Sequence, residues 1–148
     1  MSKYIIINNG LVAGVRYTPA DNTVLVEDDF ELPETGTDFV NAYKEYLLNR
    51  VLLKYQGIVN AVRNKYSEYE VESFTDQRNE WKLYIADNNA KTPIVDAIAN
   101  ARGISRDDLF TKIGNNVTAV ATAQGQQNAL EDAIEACATI EDLEAIEI

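Results

Sequence analysis

Apolar positions in this chain follow two rhythms, and the change between them comes near residue 32. Before it, short β-branched and aromatic runs predict strands. Residues 4–7 (Tyr-Ile-Ile-Ile) form the first, and Asn8, Asn9 and Gly10 follow at once. An Asn-Gly pair supplies the two positive-φ positions of a type I′ hairpin turn. Residues 11–17 then read as the returning strand, with Gly14 marking a bulge. Residues 18–22, which include Pro19, read as a second turn, and residues 23–27 alternate as a third strand. The expected unit over 1–32 is a small β-meander. Three strands alone are marginal, so the meander must lean on helices or add its edge to a partner sheet.

After a linker at 31–37 containing Pro33 and Gly36, the rhythm becomes helical and the domain at 33–148 begins. Val40, Tyr43, Leu47, Val51, Tyr55, Ile58, Val62 and Tyr66 recur three or four apart, predicting one long amphipathic helix over 37–69. Four phrases then resemble helix starts: Ser73 with Asp76, Thr92 with Pro93, Ser105 with Asp108, and Thr139 with Asp142. A Ser or Thr at the cap accepts from a free backbone N–H, and a carboxylate three residues on bonds the cap's own N–H. Proline at the first helical position lacks only a donor that has no partner there. The predicted helices are 74–86, 93–102, 106–136 and 140–146, with Gly103 a left-handed C-terminal cap. Glycine and glutamine at 124–127 interrupt the apolar seam of the 106–136 helix. Gln124 and Gln127 either face inward and set the register of an assembly, or turn a polar face to solvent. The fold class is therefore mainly α with a small N-terminal β-meander: an elongated helical bundle with one long central helix.

Composition changes this picture mostly by exclusion. With 148 residues and 46% apolar content, the chain can bury a core without a metal or disulfide. It has no histidine and one cysteine, Cys137, which removes the usual zinc sites, the commonest general base and any internal disulfide. Cys137 has acids nearby and no cation to favour a thiolate. The seven glycines are scattered and make no phosphate-binding loop. Asp28 with Asp29 reads as a surface turn, and Asp107 with Asp108 as charge at a helix start. No catalytic residue, cofactor or metal ligand is expected. No apolar run approaches a membrane span, and the first residues turn polar too soon for a signal peptide.

Net charge is −11, and its distribution is uneven. Every basic residue lies between Lys3 and Lys112, and only acids follow. The overall sign opposes nucleic-acid binding. A nucleic-acid mimic is disfavoured as well, since the middle of the chain is mixed in sign. The basic central helix either is simply solvated or lies against the acidic tail of its own chain or a neighbour. Aromatic side chains add a second ambiguity. Tyr43, Tyr46, Leu47, Tyr55, Tyr66, Tyr69, Trp81 and Tyr84 are the candidate partner interface, and the competing reading makes them a core stripe.

Beyond residue 73 the phrases take on a recognisable order. They are Ser-Phe-x-x-Gln-Arg-x-Glu-Trp at 73–81, Ala-Asp-Asn at 86–88 and Thr-Pro-x-x-Asp-Ala-x-x-x-Ala-Arg-Gly at 92–103. Gln-Gln-x-Ala-Leu-Glu-Asp at 126–132 and Ala-Thr-x-Glu-Asp-Leu-Glu-Ala-Ile at 138–146 complete them. This half of the chain resembles the helical C-terminal region of small bacteriophage tail proteins of the tail-fibre or tail-fibre-assembly type. The resemblance implies a non-enzymatic structural or adaptor protein of the virion tail, made in the host cytoplasm. Its implied partners are tail-fibre or other tail proteins, in a homo-oligomer (a trimer first, since tail fibres are often threefold) or a hetero-oligomer. The alternative is an assembly chaperone not retained in the virion. Neither nucleic acid nor membrane is an expected partner.

Overall fold

A computed structural model describes residues 2–17, 19–21 and 23–148. Among the described residues three strands, β1 (Lys3–Asn8), β2 (Leu11–Arg16) and β3 (Thr23–Val26), precede five helices. The helices are α1 (Phe39–Arg63), α2 (Glu68–Ala86), α3 (Pro93–Arg102), α4 (Arg106–Ala136) and α5 (Ile140–Glu144). The chain is mostly helical with a small antiparallel N-terminal sheet. Residues 1–53 with 127–148 form one compact unit, and residues 54–126 form another.

The first hairpin follows its turn chemistry. Asn8 pairs with Leu11, and the two loop residues Asn9 and Gly10 both take positive φ, 51° and 79°. The register slips by one residue between Ile6 and Ile7, so Ala13 bulges beside Gly14. The sheet is not a meander, however: its order is β2-β1-β3. The isoleucine-rich β1 takes the middle, where both edges of a strand are bonded. The outer edge of β2 is already in use. Val12 N–H donates to Thr37 O at 2.9 Å, Gly36 N–H to Val12 O at 2.7 Å and Phe39 N–H to Gly10 O at 3.1 Å. That leaves β3 to pair with β1. The turn expected at 18–22 includes Thr18 and Asn22, which lie outside the described residues.

The core of this first unit combines sheet and helix. Ile5, Val12, Val24 and Val26 are buried with Phe30, Phe39, Tyr43, Leu47 and Val51, and with Ile134 and Leu143 from the C-terminal elements. Phe30 is the hub of an aromatic cluster, edge-on to Tyr46 at 4.8 Å, to Tyr43 at 5.8 Å and to Phe39 at 6.0 Å. Edge-to-face pairs of this kind add modestly to simple burial. Lys44 Nζ donates to Glu135 O at 2.8 Å, joining α1 to the end of α4.

Two helix boundaries differ widely from expectation, while α1 starts at Phe39 instead of 37 and α5 ends at Glu144 instead of 146. The helix predicted over 37–69 stops at Arg63, and the next starts at Glu68 instead of near residue 74. A cap at Ser67 is responsible. Its hydroxyl accepts from Glu70 N–H and the Glu70 carboxylate accepts from Ser67 N–H, a complete capping box. The three-and-four spacing runs from Val62 to Tyr66 straight across this break, and periodicity alone cannot register it. Ser73, the expected cap, lies inside α2, where its hydroxyl donates to Glu70 O at 2.8 Å and accepts from Gln77 Nε2 at 2.7 Å. The longest helix is α4, with 31 residues, and it continues through Gly125. Gln124 is exposed and Gln127 donates to Glu131 of its own helix at 2.8 Å, so polar positions here face outward or along the helix. The caps expected at Ser105, Gly103 and Thr139 hold. Ser105 Oγ accepts from Asp108 N–H, Gly103 adopts φ 64°, and Thr139 with Asp142 forms a full box at α5.

Candidate functional site

The eight aromatic and apolar residues expected at a partner interface separate into distinct environments. Tyr43, Leu47 and Tyr55 are buried, so the core-stripe reading describes them within this chain. Tyr46 is half-buried and donates to Asp29 Oδ1 at 2.8 Å; burial, then that hydrogen bond, pushes its phenol up to about 12. Burial raises the Tyr43 phenol too, with Glu144 adding to the effect. Tyr66 packs edge-on against Phe74 at 5.1 Å and is 37% exposed, whereas Tyr69 is 82% exposed.

Trp81 and Tyr84 belong to a second core, in the unit of residues 54–126. Val95, Ala99, Leu109, Phe110 and Ile113 are its buried members, with Trp81, Tyr84, Ile98, Ile104 and Val117 packed around them. Tyr84 stacks on Phe110 at 4.2 Å and donates to Asp107 Oδ1 at 2.9 Å, and this bond raises its phenol above the usual value. Trp81 packs close against Gly114, where an added Cβ would sit 2.7 Å from the indole nitrogen.

The junction of α2, α3 and α4 is the most highly organised polar arrangement among the described residues. Thr92 does not cap α3 with its hydroxyl, contrary to expectation. That oxygen is fully buried, donates to Asp96 Oδ1 at 3.1 Å and accepts from Arg106 Nε at 3.0 Å. The cap comes from another helix. Glu80 of α2, only 7% exposed, accepts Ile94 N–H through Oε1 at 3.0 Å and Val95 N–H through Oε2 at 2.8 Å. One carboxylate thus serves two of the free donors at the start of α3 and meets the positive end of that helix. Arg106 closes the same corner. It donates to Asn88 O at 2.7 Å and Ala90 O at 2.6 Å, pairs with Asp96 at 3.0 Å, and lies over the rings of Tyr84 and Phe110.

These residues carry the phrases at 73–81 and 92–103, so that part of the pattern encodes how three helices are locked together. The sequence reading missed Glu80 and Arg106. A buried-capable Glu 12 positions before the Thr of a Thr-Pro start, and an Arg directly after a Ser cap, were the available signals. Neither is separable by eye from ordinary surface charge.

Chemically, the junction is saturated: its carboxylates and guanidinium are all occupied with backbone or with each other. An open depression of about 330 Å³ beside the end of β3 holds Glu27, Asp28, Tyr43 and Arg50, with Glu27 and Arg50 3.8 Å apart. Cys137 donates its thiol to Ala133 O at 3.2 Å. Among the described residues no cluster of three metal-binding side chains occurs, and no helix is long and apolar enough to cross a membrane.

What the surface does present is a set of large apolar side chains on the second half of α1 (Ile58, Val62), in the turn after it (Tyr66) and at the start of α2 (Tyr69). Ile58 is 43% exposed, Val62 40%, Tyr66 37% and Tyr69 82%. At Ile58 and Val62 the buried stripe of α1 (Tyr43, Leu47, Val51, Tyr55) continues in the same rhythm but is no longer covered. Single exposed apolar residues are ordinary, whereas here two successive positions of a core stripe are exposed. Compared with protein-family models, curated proteins and solved structures, the chain finds no match.

Proposed function

We propose that this chain works by protein–protein contact, without catalysis, as a component of a bacteriophage tail bound to the tail fibre. The observation that carries the proposal is the exposure of Ile58 and Val62, where a stripe that is core earlier in α1 stands open, with exposed Tyr66 and Tyr69 following in the chain. The resemblance of residues 73–146 to small phage tail proteins supplies the biological setting. A saturated polar junction suits a part whose task is rigidity. In this reading α1 and α4 are stiff helices, and a partner covers the exposed part of α1.

The test is an inventory of purified virions by mass spectrometry, paired with co-purification against tail-fibre protein. A stoichiometric subunit that binds fibre supports the proposal. Binding to fibre with absence from the virion assigns the assembly-chaperone role instead. A chain that neither binds fibre nor enters the virion overturns both.

A further inference from the structure

Charge along the exposed part of α1 is one-sided. Residues 46–67 contain Arg50, Lys54, Arg63 and Lys65 and no acid, while residues 113–148 contain seven acids and no base. Arg50 pairs with Glu27 at 3.8 Å, and Glu131 and Asp142 accept from Gln127 and Thr139, but other members of each set have no charged partner among the described residues. Among the described residues neither Arg63 nor Lys65 meets a carboxylate, and the exposed side chains of Asp132 and Glu135 meet no cation. The shapes also match. On α1, Lys54, Ile58 and Val62 recur every four residues, placing two large apolar groups and one cation along a single ridge. On α4, Ala129, Ala133 and Ala136 are all exposed on one face with Asp132 beside them. Small side chains there allow a neighbouring ridge to approach closely.

We propose that the exposed ridge of α1 docks the acidic, alanine-faced end of α4 from a second copy of this chain. The inference rests on reading α1 as a contact helix, and it names the occupant. Two surfaces of opposite charge, one with large and one with small apolar groups, are carried by the same polypeptide. Copies of one chain therefore always meet with both halves of the contact present. A chain of net charge −11 otherwise repels itself, and this pairing sets the basic, acid-free stretch of α1 against the acidic, base-free end of α4.

Sedimentation velocity on the full chain, in low and high salt, tests this. The wild type is expected to associate reversibly, and less tightly as salt screens the exposed charges. Lys54→Glu combined with Arg63→Glu should weaken association by roughly tenfold or more, and so should Asp132→Lys combined with Glu135→Lys. All four side chains are exposed, and circular dichroism establishes that each variant is folded. Mixing the two double variants restores the contact, because each reversed surface then meets its opposite. A wild type that stays monomeric at every concentration and salt overturns the inference. Association that both reversals leave untouched does so equally. A monomer that still captures tail-fibre protein defeats self-docking alone and leaves the fibre reading standing.

Discussion

Replacing Glu80 by alanine removes the cap of one helix by editing another, and the structure allows its cost to be worked out. Val95 is fully buried, so its N–H loses a carboxylate partner and cannot regain water. A charge-assisted bond lost in that way costs about 2 kcal/mol. Ile94 is 37% exposed, so its amide recovers most of what it loses by hydration, leaving a few tenths of a kcal/mol. Truncating the buried methylene adds about 0.8 kcal/mol. The sum is about 3 kcal/mol, which lowers the melting temperature of a chain of 148 residues by roughly 6–12 °C. Glu80→Gln keeps the volume but turns an NH₂ toward one of the two donors, and should cost about 2 kcal/mol. Urea unfolding followed by tryptophan fluorescence is the assay. Trp81 is the only tryptophan and lies in the core beside this cap, so the signal reports on the right unit. If Glu80→Ala falls within about 0.5 kcal/mol of wild type, in the range of ordinary surface changes, the capping account is refuted.

Further outcomes follow from neighbouring features. Gly114→Ala should destabilise by about 1–3 kcal/mol despite alanine's better helix propensity, because the new methyl meets the Trp81 indole at 2.7 Å. Gly57→Ala, with open space around the added carbon, should stabilise by about 0.5–1 kcal/mol; parallel urea titrations compare the two. Arg106→Lys cannot reproduce the fork reaching Thr92, Asn88 and Ala90, and should cost about 2 kcal/mol in the same experiment. The Tyr46 phenol, held up to about 12, stays neutral in the folded chain while an unfolded tyrosine ionises near its ordinary value of about 10. Its contribution is therefore complete below about pH 10 and lost as pH rises toward 12. Ultraviolet titration of wild type against Tyr46→Phe should remove one late-ionising phenol, and an unchanged titration curve would contradict the assignment.

Much of the secondary structure was legible because single residues with strong local preferences mark it. Asn9 and Gly10 declare their turn, Gly103 its left-handed cap, and Thr139 with Asp142 the start of α5. Misreadings arose where two local signals competed. Ser67 with Glu70 and Ser73 with Asp76 are both well-formed start phrases, and the apolar spacing through Val62 and Tyr66 favoured the wrong one. Strand order was hidden for a different reason. Whether β2 has a free edge depends on where residues 36–39 pass, and no property of β2 itself records that. The candidate site was less legible still. Tyr43 and Tyr69 look alike as residues on a helical repeat, and only packing separates a core phenol from an exposed one. Glu80 shows the limit most clearly: its partner amides lie on another helix, so neither helix announces the bond.

The borrowed cap also sets where this polypeptide can be cut. A fragment starting anywhere from residue 81 to residue 92 retains the whole of α3 and all the apolar positions along it, yet leaves behind the carboxylate that neutralises its leading amides. Moving the cut upstream of residue 80 brings that group back, and only then does the remainder own every atom its first buried turn requires.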